Sequence, residues 1–301
     1  MALYVYAAFL GNFLIAVSKF VAGFLTGSSA MLSEGLHSLS DTSNQILLAF
    51  GIRRSKRDPD PEHPFGYSKV QFFWALIVSI LIFGLAGSLS FIHGIDRLTH
   101  PHVGEEQSFL ASYVVLILSY IFEGFALFMA YRELQHLKHL KGYSQISETL
   151  ENIQNPALLT CLVEDSLAMI GITIALVATL LTDFTHDPVW DGLGSLLIGL
   201  VLMVVALLLA RENKSYLIGK AVNHRDKQKI KEIIETSPHV KRMVRMQTML
   251  LGPEDMILSL EVDFGDDLTV EGLEKAVDDI EQRIIASFPV LTPSKIFIEP
   301  N

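Results

Sequence analysis

Residues 29–52 read SAMLSEGLHSLSDTSNQILLAFGI, and the reading of this stretch decides the fold. It is long enough to cross a bilayer, which takes about 20 mostly apolar residues in a helix. Yet it carries Glu34, His37 and Asp41. Ionisable side chains within a spanning helix are costly, and they point by default to a functional site. His37 and Asp41 are four residues apart, so a helix stacks them on one face.

Moving outward, about six stretches meet the length rule, at 3–26, 29–52, 70–92, 109–131, 156–182 and 189–210. The first is expected to be a span rather than a cleavable signal. No basic segment precedes it, and its apolar run is longer than a usual signal core. Half of the 301 residues are apolar and the net charge is −10. An acidic balance argues against nucleic acid as a partner, since binding phosphate needs a basic face. The expected partner is a lipid bilayer. Cys161 is the single cysteine, which excludes an intrachain disulfide and a cysteine-rich structural zinc site.

The loops set orientation. Arg53, Arg54, Lys56, Arg57 and Lys69 follow the second stretch; Arg132, Lys138 and Lys141 follow the fourth; Arg211, Lys214 and Lys220 follow the sixth. The opposite loops hold only Arg97 near a membrane end, and none in 183–188. Positive loops stay inside, so both termini are expected on the cytoplasmic side. With no organellar presequence in view, a bacterial inner membrane is the expected host.

After about residue 213 the chain changes to a mixed, charged pattern. A helix is expected over 226–236, with Ile230, Ile233 and Ile234 on one side. Two strands follow at 243–251 and 257–264, joined by a turn at Gly252-Pro253-Glu254-Asp255. Thr269 caps a helix running to Phe288, with Leu273, Val277, Ile280 and Ile284 on its buried stripe. A last strand is expected over 295–299. The fold class is therefore an α-helical membrane bundle of about six transmembrane helices, residues 1–212, followed by a cytoplasmic α+β domain, residues 213–301. That domain has α-β-β-α-β order, like a ferredoxin or a metallochaperone.

The fifth stretch adds Cys161, Glu164 and Asp165, the fourth adds Glu123, and Asp191 opens the sixth. Cys161 and Asp165 repeat the four-residue spacing of His37 and Asp41. Face to face, the two pairs supply imidazole, thiolate and two carboxylates. Tetrahedral N/O/S coordination suits Zn²⁺, with Co²⁺, Cd²⁺, Fe²⁺ or Mn²⁺ as alternatives. Glu164 sits about 100° around the helix from Asp165, so spacing favours Cys161 as the fourth ligand, with Glu164 in reserve. Against this stands a plainer reading, in which a lone His in a membrane helix only hydrogen-bonds a neighbouring helix. Glu34 and Glu123 read as gating or helix-contact groups. His136 and His139 read as a solvated face.

These residues resemble the cation diffusion facilitator family over essentially the whole chain. The resemblance rests on Asn12 and Lys19, on the run from Gly27 through Ser33-Glu34-Gly35 and His37 to Asp41, on His63-Pro64-Phe65-Gly66-Tyr67-Ser68-Lys69, and on Tyr216 to Ala221. Ser33-Glu34-Gly35 and Glu164-Asp165-Ser166 resemble the branch that includes the ninth human-type zinc transporter. The resemblance implies a homodimer that exports divalent metal from the cytosol in exchange for protons. It places His37, Asp41 and Asp165 as ligands, and Cys161 stands where the family has His or Asp. Asp60 and His63 match secondary loop positions, but Tyr67 replaces the next loop histidine. His224 and His239 have no histidine partner on the last strand, so no binuclear site is expected there. Two other classes stay open: a metal-dependent scaffold or regulator, and an intramembrane metalloenzyme. No His-Glu-x-x-His or Gly-x-Ser-x-Gly pattern is present, so an enzyme is not expected.

Overall fold

The computed structural model describes residues 2–100, 109–151, 153, 156–253, 255–266, 268–288, 291 and 293–301, with side chains in the first helix from Phe13 onward. The chain divides into two compact units, one of Met1–Ile52 and Phe73–Asn213, the other of Arg53–Phe72 and Lys214–Asn301.

The first unit is helical. α1 (Ala2–Thr26), α2 (Ser29–Ser55), α3 (Val70–Leu81), α4 (Ser88–Thr99), α5 (Phe109–Lys141), α6 (Ile146–Glu151), α7 (Pro156–Thr185) and α8 (Val189–Ile218) follow in order. A π-helical segment, Ile82–Gly87, joins α3 to α4 within one continuous rod. Among the described residues, four helices are long and apolar enough to cross a membrane: Val70–Thr99, Phe109–Leu140, Leu158–Thr185 and Val189–Ile218. Phe13–Thr26 is a shorter apolar helix over its described side chains. α2 has the length but not the composition, because Ser33, Glu34, His37, Ser38, Asp41, Thr42 and Asn44 interrupt it. Those polar groups are buried within the unit.

α5 and α8 outrun the apolar stretches that announced them. The extensions, such as Arg132-Glu133-Leu134-Gln135, are strong helix formers that need no lipid to stay helical. α8 stops at Gly219, whose φ of 124° no side-chain-bearing residue adopts readily. On α5 the row Leu110, Val114, Ile117, Ile121, Phe125 and Phe128 stays exposed at helical spacing, as a lipid-facing stripe should. α4 and α8 approach through glycine. A Cβ on Gly94 would lie 2.5 Å from the backbone nitrogen of Leu196. Small residues permit such contact where no hydrophobic force draws helices together.

The second unit is a three-stranded sheet with helices. α9 (His224–Glu235), β1 (Val240–Gly252), β2 (Asp255–Phe264), α10 (Val270–Ser287) and β3 (Ile296–Pro300) occur in that order. β1 pairs antiparallel with β2, and β2 pairs parallel with β3 across the α10 crossover. Glu254, placed in the expected turn, lies outside the described residues. β2 alternates between buried and half-buried positions as a strand covered on one face does. Leu258, Leu260 and Val262 meet Ile230 and Ile234 of α9 and Ile280 and Ile284 of α10 in one core. Thr269 accepts from the Gly272 amide at 3.2 Å, the cap expected from sequence. The segment Arg53–Phe72 belongs to this unit. Ser68 donates to Asp255 at 2.6 Å, Lys295 holds the same carboxylate at 2.7 and 2.8 Å, and Phe72 stacks on Tyr216 at 4.6 Å.

Candidate metal centre

α2 organises the centre. Its N-terminus leaves amide donors without helical partners. A carboxylate from α8 takes them: Asp191 accepts from the amides of Ser29 at 2.6 Å and Ala30 at 3.2 Å, and from the hydroxyls of Ser28 at 2.5 Å and Ser29 at 2.8 Å. One turn further on, Ser33 and Ser195 join hydroxyl to hydroxyl, and Ser195 donates to the Ser90 carbonyl at 2.9 Å.

Next come Glu34 and Ser38. The Lys19 ammonium, fully buried on α1, donates to Glu34 at 3.1 Å and to Ser38 at 2.6 Å. A buried cation bound to a carboxylate meets the condition under which ionisable groups survive inside a bundle. On the far side, α7 passes so close that a Cβ on Gly171 would fall inside the Glu34 carboxylate.

His37 and Asp41 lie deeper along α2, with Nδ1 to Oδ1 at 3.5 Å and side chains 1 % and 13 % exposed. Both His37 ring nitrogens and Asp41 Oδ1 are buried without a hydrogen-bond partner. Asn44 completes the row: its amide donates to Glu164 Oε1 on α7 at 2.7 Å. Positions 34, 37, 41 and 44 fall on one helical stripe.

On α7 the buried face runs through Thr160, Glu164, Leu167, Ala168 and Ile172. Glu164, which spacing turned away from the centre, therefore reaches α2, while Cys161 and Asp165 flank that face half-buried. Positions 164 and 165 lie about 100° apart around a helix, and spacing gives only these relative directions. The direction of α2 is fixed by packing alone. Asp41 still lies within electrostatic range of Glu164, Glu123, Asp165 and Lys19, and Cys161 within range of Glu164, Asp165 and Asp41. The structure thus gathers the predicted residues into one region. Among the described residues, no three His, Cys, Asp or Glu side chains converge to metal-binding distance.

The other candidates lie elsewhere. Asp60 accepts from Arg57 at 3.0 Å, from the Tyr67 hydroxyl at 2.5 Å and from the amides of Glu62 and His63 at 3.1 and 2.8 Å. The hydrogen bond from Tyr67 is the main reason its carboxyl is held below the ordinary range. His63 stacks on Tyr67 at 4.3 Å. His136 and His139 are exposed on α5. Sequence reasoning gave no role to Asn44 or Ser38 and knew Lys19 only through resemblance. The three-four-three spacing of 34, 37, 41 and 44 was the signal that would have added Asn44.

Comparison with known proteins gives the family. Residues 5–218 match the cation efflux transmembrane domain, and residues 222–301 match the cytoplasmic domain of cation efflux proteins. The mouse and human proteins named "Proton-coupled zinc antiporter SLC30A9, mitochondrial" are each 36% identical over 279 residues, covering 92% of this chain and 48% of theirs. Metal tolerance protein C4 of Arabidopsis thaliana is 30% identical over 264 residues, covering 88% of this chain and 57% of its own. The chain thus spans about half the length of the curated relatives it matches. These relatives bear out the expected branch. Two are named as mitochondrial, so the expectation of a bacterial inner membrane has no support from them and is withdrawn. With both of its domains matched in order, this integral membrane protein belongs to the cation efflux family, the cation diffusion facilitators.

Proposed function

We propose that the protein is a proton-coupled antiporter that moves divalent transition metal, Zn²⁺ first, out of the cytoplasm, and that it is not an enzyme. The observation that carries this reading is the buried His37–Asp41 pair, with three unpartnered atoms and with Asp41 within electrostatic range of Glu164 and Asp165. The mouse and human relatives are named as proton-coupled zinc antiporters, which supports zinc as substrate and the proton as counter-ion.

In this reading His37, Asp41, Cys161 and Asp165 are the ligands. The ion supplies the attraction that closes the set, since carboxylates at this depth repel one another until a cation joins them. Binding requires deprotonated ligands, so the arriving metal displaces protons, and protons arriving from the opposite side displace the metal. An imidazole suits the exchange because its unperturbed pKa lies near neutrality. About six helices span the membrane: the four long apolar ones, α1, and α2 with its polar stripe turned inward. Both termini face the cytoplasm, in keeping with the basic loops, and the C-terminal domain pairs two copies into a homodimer.

The test is metal uptake into proteoliposomes with and without an imposed pH gradient, comparing Zn²⁺, Co²⁺, Mn²⁺ and Fe²⁺. Gradient-driven Zn²⁺ uptake that is lost in Asp41→Ala and in Asp165→Ala is the expected result. Uptake indifferent to the gradient, or a fully active Asp165→Ala protein, overturns the coupling or the site.

A further inference from the structure

The stripe on α2 does not end at Asp41. Asn44 is completely buried, and its amide group is half used: Nδ2 donates to Glu164 Oε1 at 2.7 Å, while Oδ1 has no partner. Glu164 is itself buried, 3 % exposed. One turn away on the same face of α7, the Thr160 hydroxyl is buried and also unpartnered. A buried carbonyl oxygen without a donor is destabilising, so leaving it beside a carboxylate needs a reason. A buried carboxylate beside two unpartnered oxygens attracts a cation.

We propose that Asn44 and Glu164 form a second cation station, built from oxygen donors alone, where a divalent ion is held before it steps to the His37–Asp41 pair. The station lies about 4.5 Å along the helix from Asp41, toward the end of α2 that carries Arg53 and Arg54. Carboxylate and carbonyl oxygens suit hard ions such as Mg²⁺ and Mn²⁺ as well as Zn²⁺. The station therefore admits divalent ions broadly, and selection falls to the neighbouring site with its imidazole and thiol. The separate orientations of Glu164 and Asp165 on α7 follow: one serves the station, its neighbour the selective site.

This inference rests on the transport reading, and its test keeps the two apart. Full-length protein in lipid nanodiscs is titrated with Zn²⁺ and Mn²⁺, and uptake kinetics are measured in proteoliposomes. Variants are Asp41→Ala, Asn44→Leu, Asn44→Asp and the double variant Asp41→Ala/Asn44→Leu. The expected results are a KM raised ~10-fold in Asn44→Leu, at the low end of what loss of a supporting group costs a metal site, and a KM and maximal rate both lowered in Asn44→Asp, which adds a ligand and slows release. A merely structural Asn44 behaves differently, because Asp cannot donate to Glu164, so both variants fail alike; that result overturns the proposal. Asp41→Ala should keep one weakly selective bound ion that the double variant loses. If Asp41→Ala binds no more ions than the double variant, the station falls while antiport stands. If Asp41→Ala transports normally, the selective site falls while the comparison at Asn44 is still decided by binding.

Discussion

Replacing Asp191 with Ala should unfasten α2 from α8. The carboxylate is 3 % exposed and accepts four hydrogen bonds, two from backbone amides and two from hydroxyls. The serines can turn to other acceptors, but the amides of Ser29 and Ala30 cannot. Loss of an N-cap acceptor costs about 0.5–2 kcal/mol, and each buried donor left bare about 1–3 kcal/mol. Arg97, 7 % exposed and 3.8 Å from the same carboxylate, also loses its counter-charge. These terms overlap, since the capped amides are the bared donors, so the expected loss is about 3–5 kcal/mol rather than their sum. Asp191→Asn keeps one acceptor oxygen but points an NH₂ at donors, and should lose about half as much. Thermal unfolding in detergent, followed by circular dichroism, measures both. Saturating Zn²⁺ should recover part of the loss, because the proposed ligand pair sits on the helix that has been freed. An Asp191→Ala protein as stable as the parent would refute the argument, as would Asp191→Asn falling as far as Ala.

Lys19→Met should cost about 3–5 kcal/mol by leaving Glu34 as an uncompensated buried charge, and Lys19→Met/Glu34→Met should regain most of it; the same melts decide. Gly94→Ala puts a methyl 2.5 Å from the Leu196 nitrogen and should cost about 1–3 kcal/mol, whereas Gly84→Ala, with nothing within 4 Å, should be neutral or better. Around Asp60 the sign follows from its lowered pKa: the cluster's stabilisation is present above the unfolded carboxylate's pKa and is lost as pH falls through the folded one. Hydrogen exchange at the Glu62 and His63 amides, corrected for intrinsic rates, should accelerate on acidification, and should do so at higher pH in Tyr67→Phe.

The long helices were legible because apolar length is a local property, and four of them are found where hydropathy placed them. The C-terminal elements were legible for a similar reason: alternation marks β2, and Thr269 marks the start of α10. Two things were hidden. The grouping of Arg53–Phe72 with the C-terminal strands depends on partners far apart in sequence, such as Ser68 with Asp255 and Phe72 with Tyr216. No periodicity announces them. The direction of α7 was hidden too. Spacing says that 161 and 165 share a face and 164 does not, but which face meets α2 depends on bulk and on glycine. Gly171 lets α7 close on Glu34, and Thr160, Glu164 and Ala168 form the surface that does so.

The polarity of α2 then has a single explanation. Several polar groups along this stretch are answered by different neighbours: Ser28 and Ser29 by Asp191 of α8, Ser33 by Ser195 of α8, Glu34 and Ser38 by Lys19 of α1, Asn44 by Glu164 of α7. Between these anchors the pair His37–Asp41 is answered only by itself, at 3.5 Å, with three buried atoms unpartnered. A bundle selected for stability alone would have filled that place with leucine, as binary patterning of a buried stripe dictates. Anchoring above and below fixes the depth and rotation of the pair. It also stops the helix from turning to hide the cost of those atoms, about 1–3 kcal/mol each. In the proposed antiport, a cation arriving there answers those atoms, and protons answer them when it leaves.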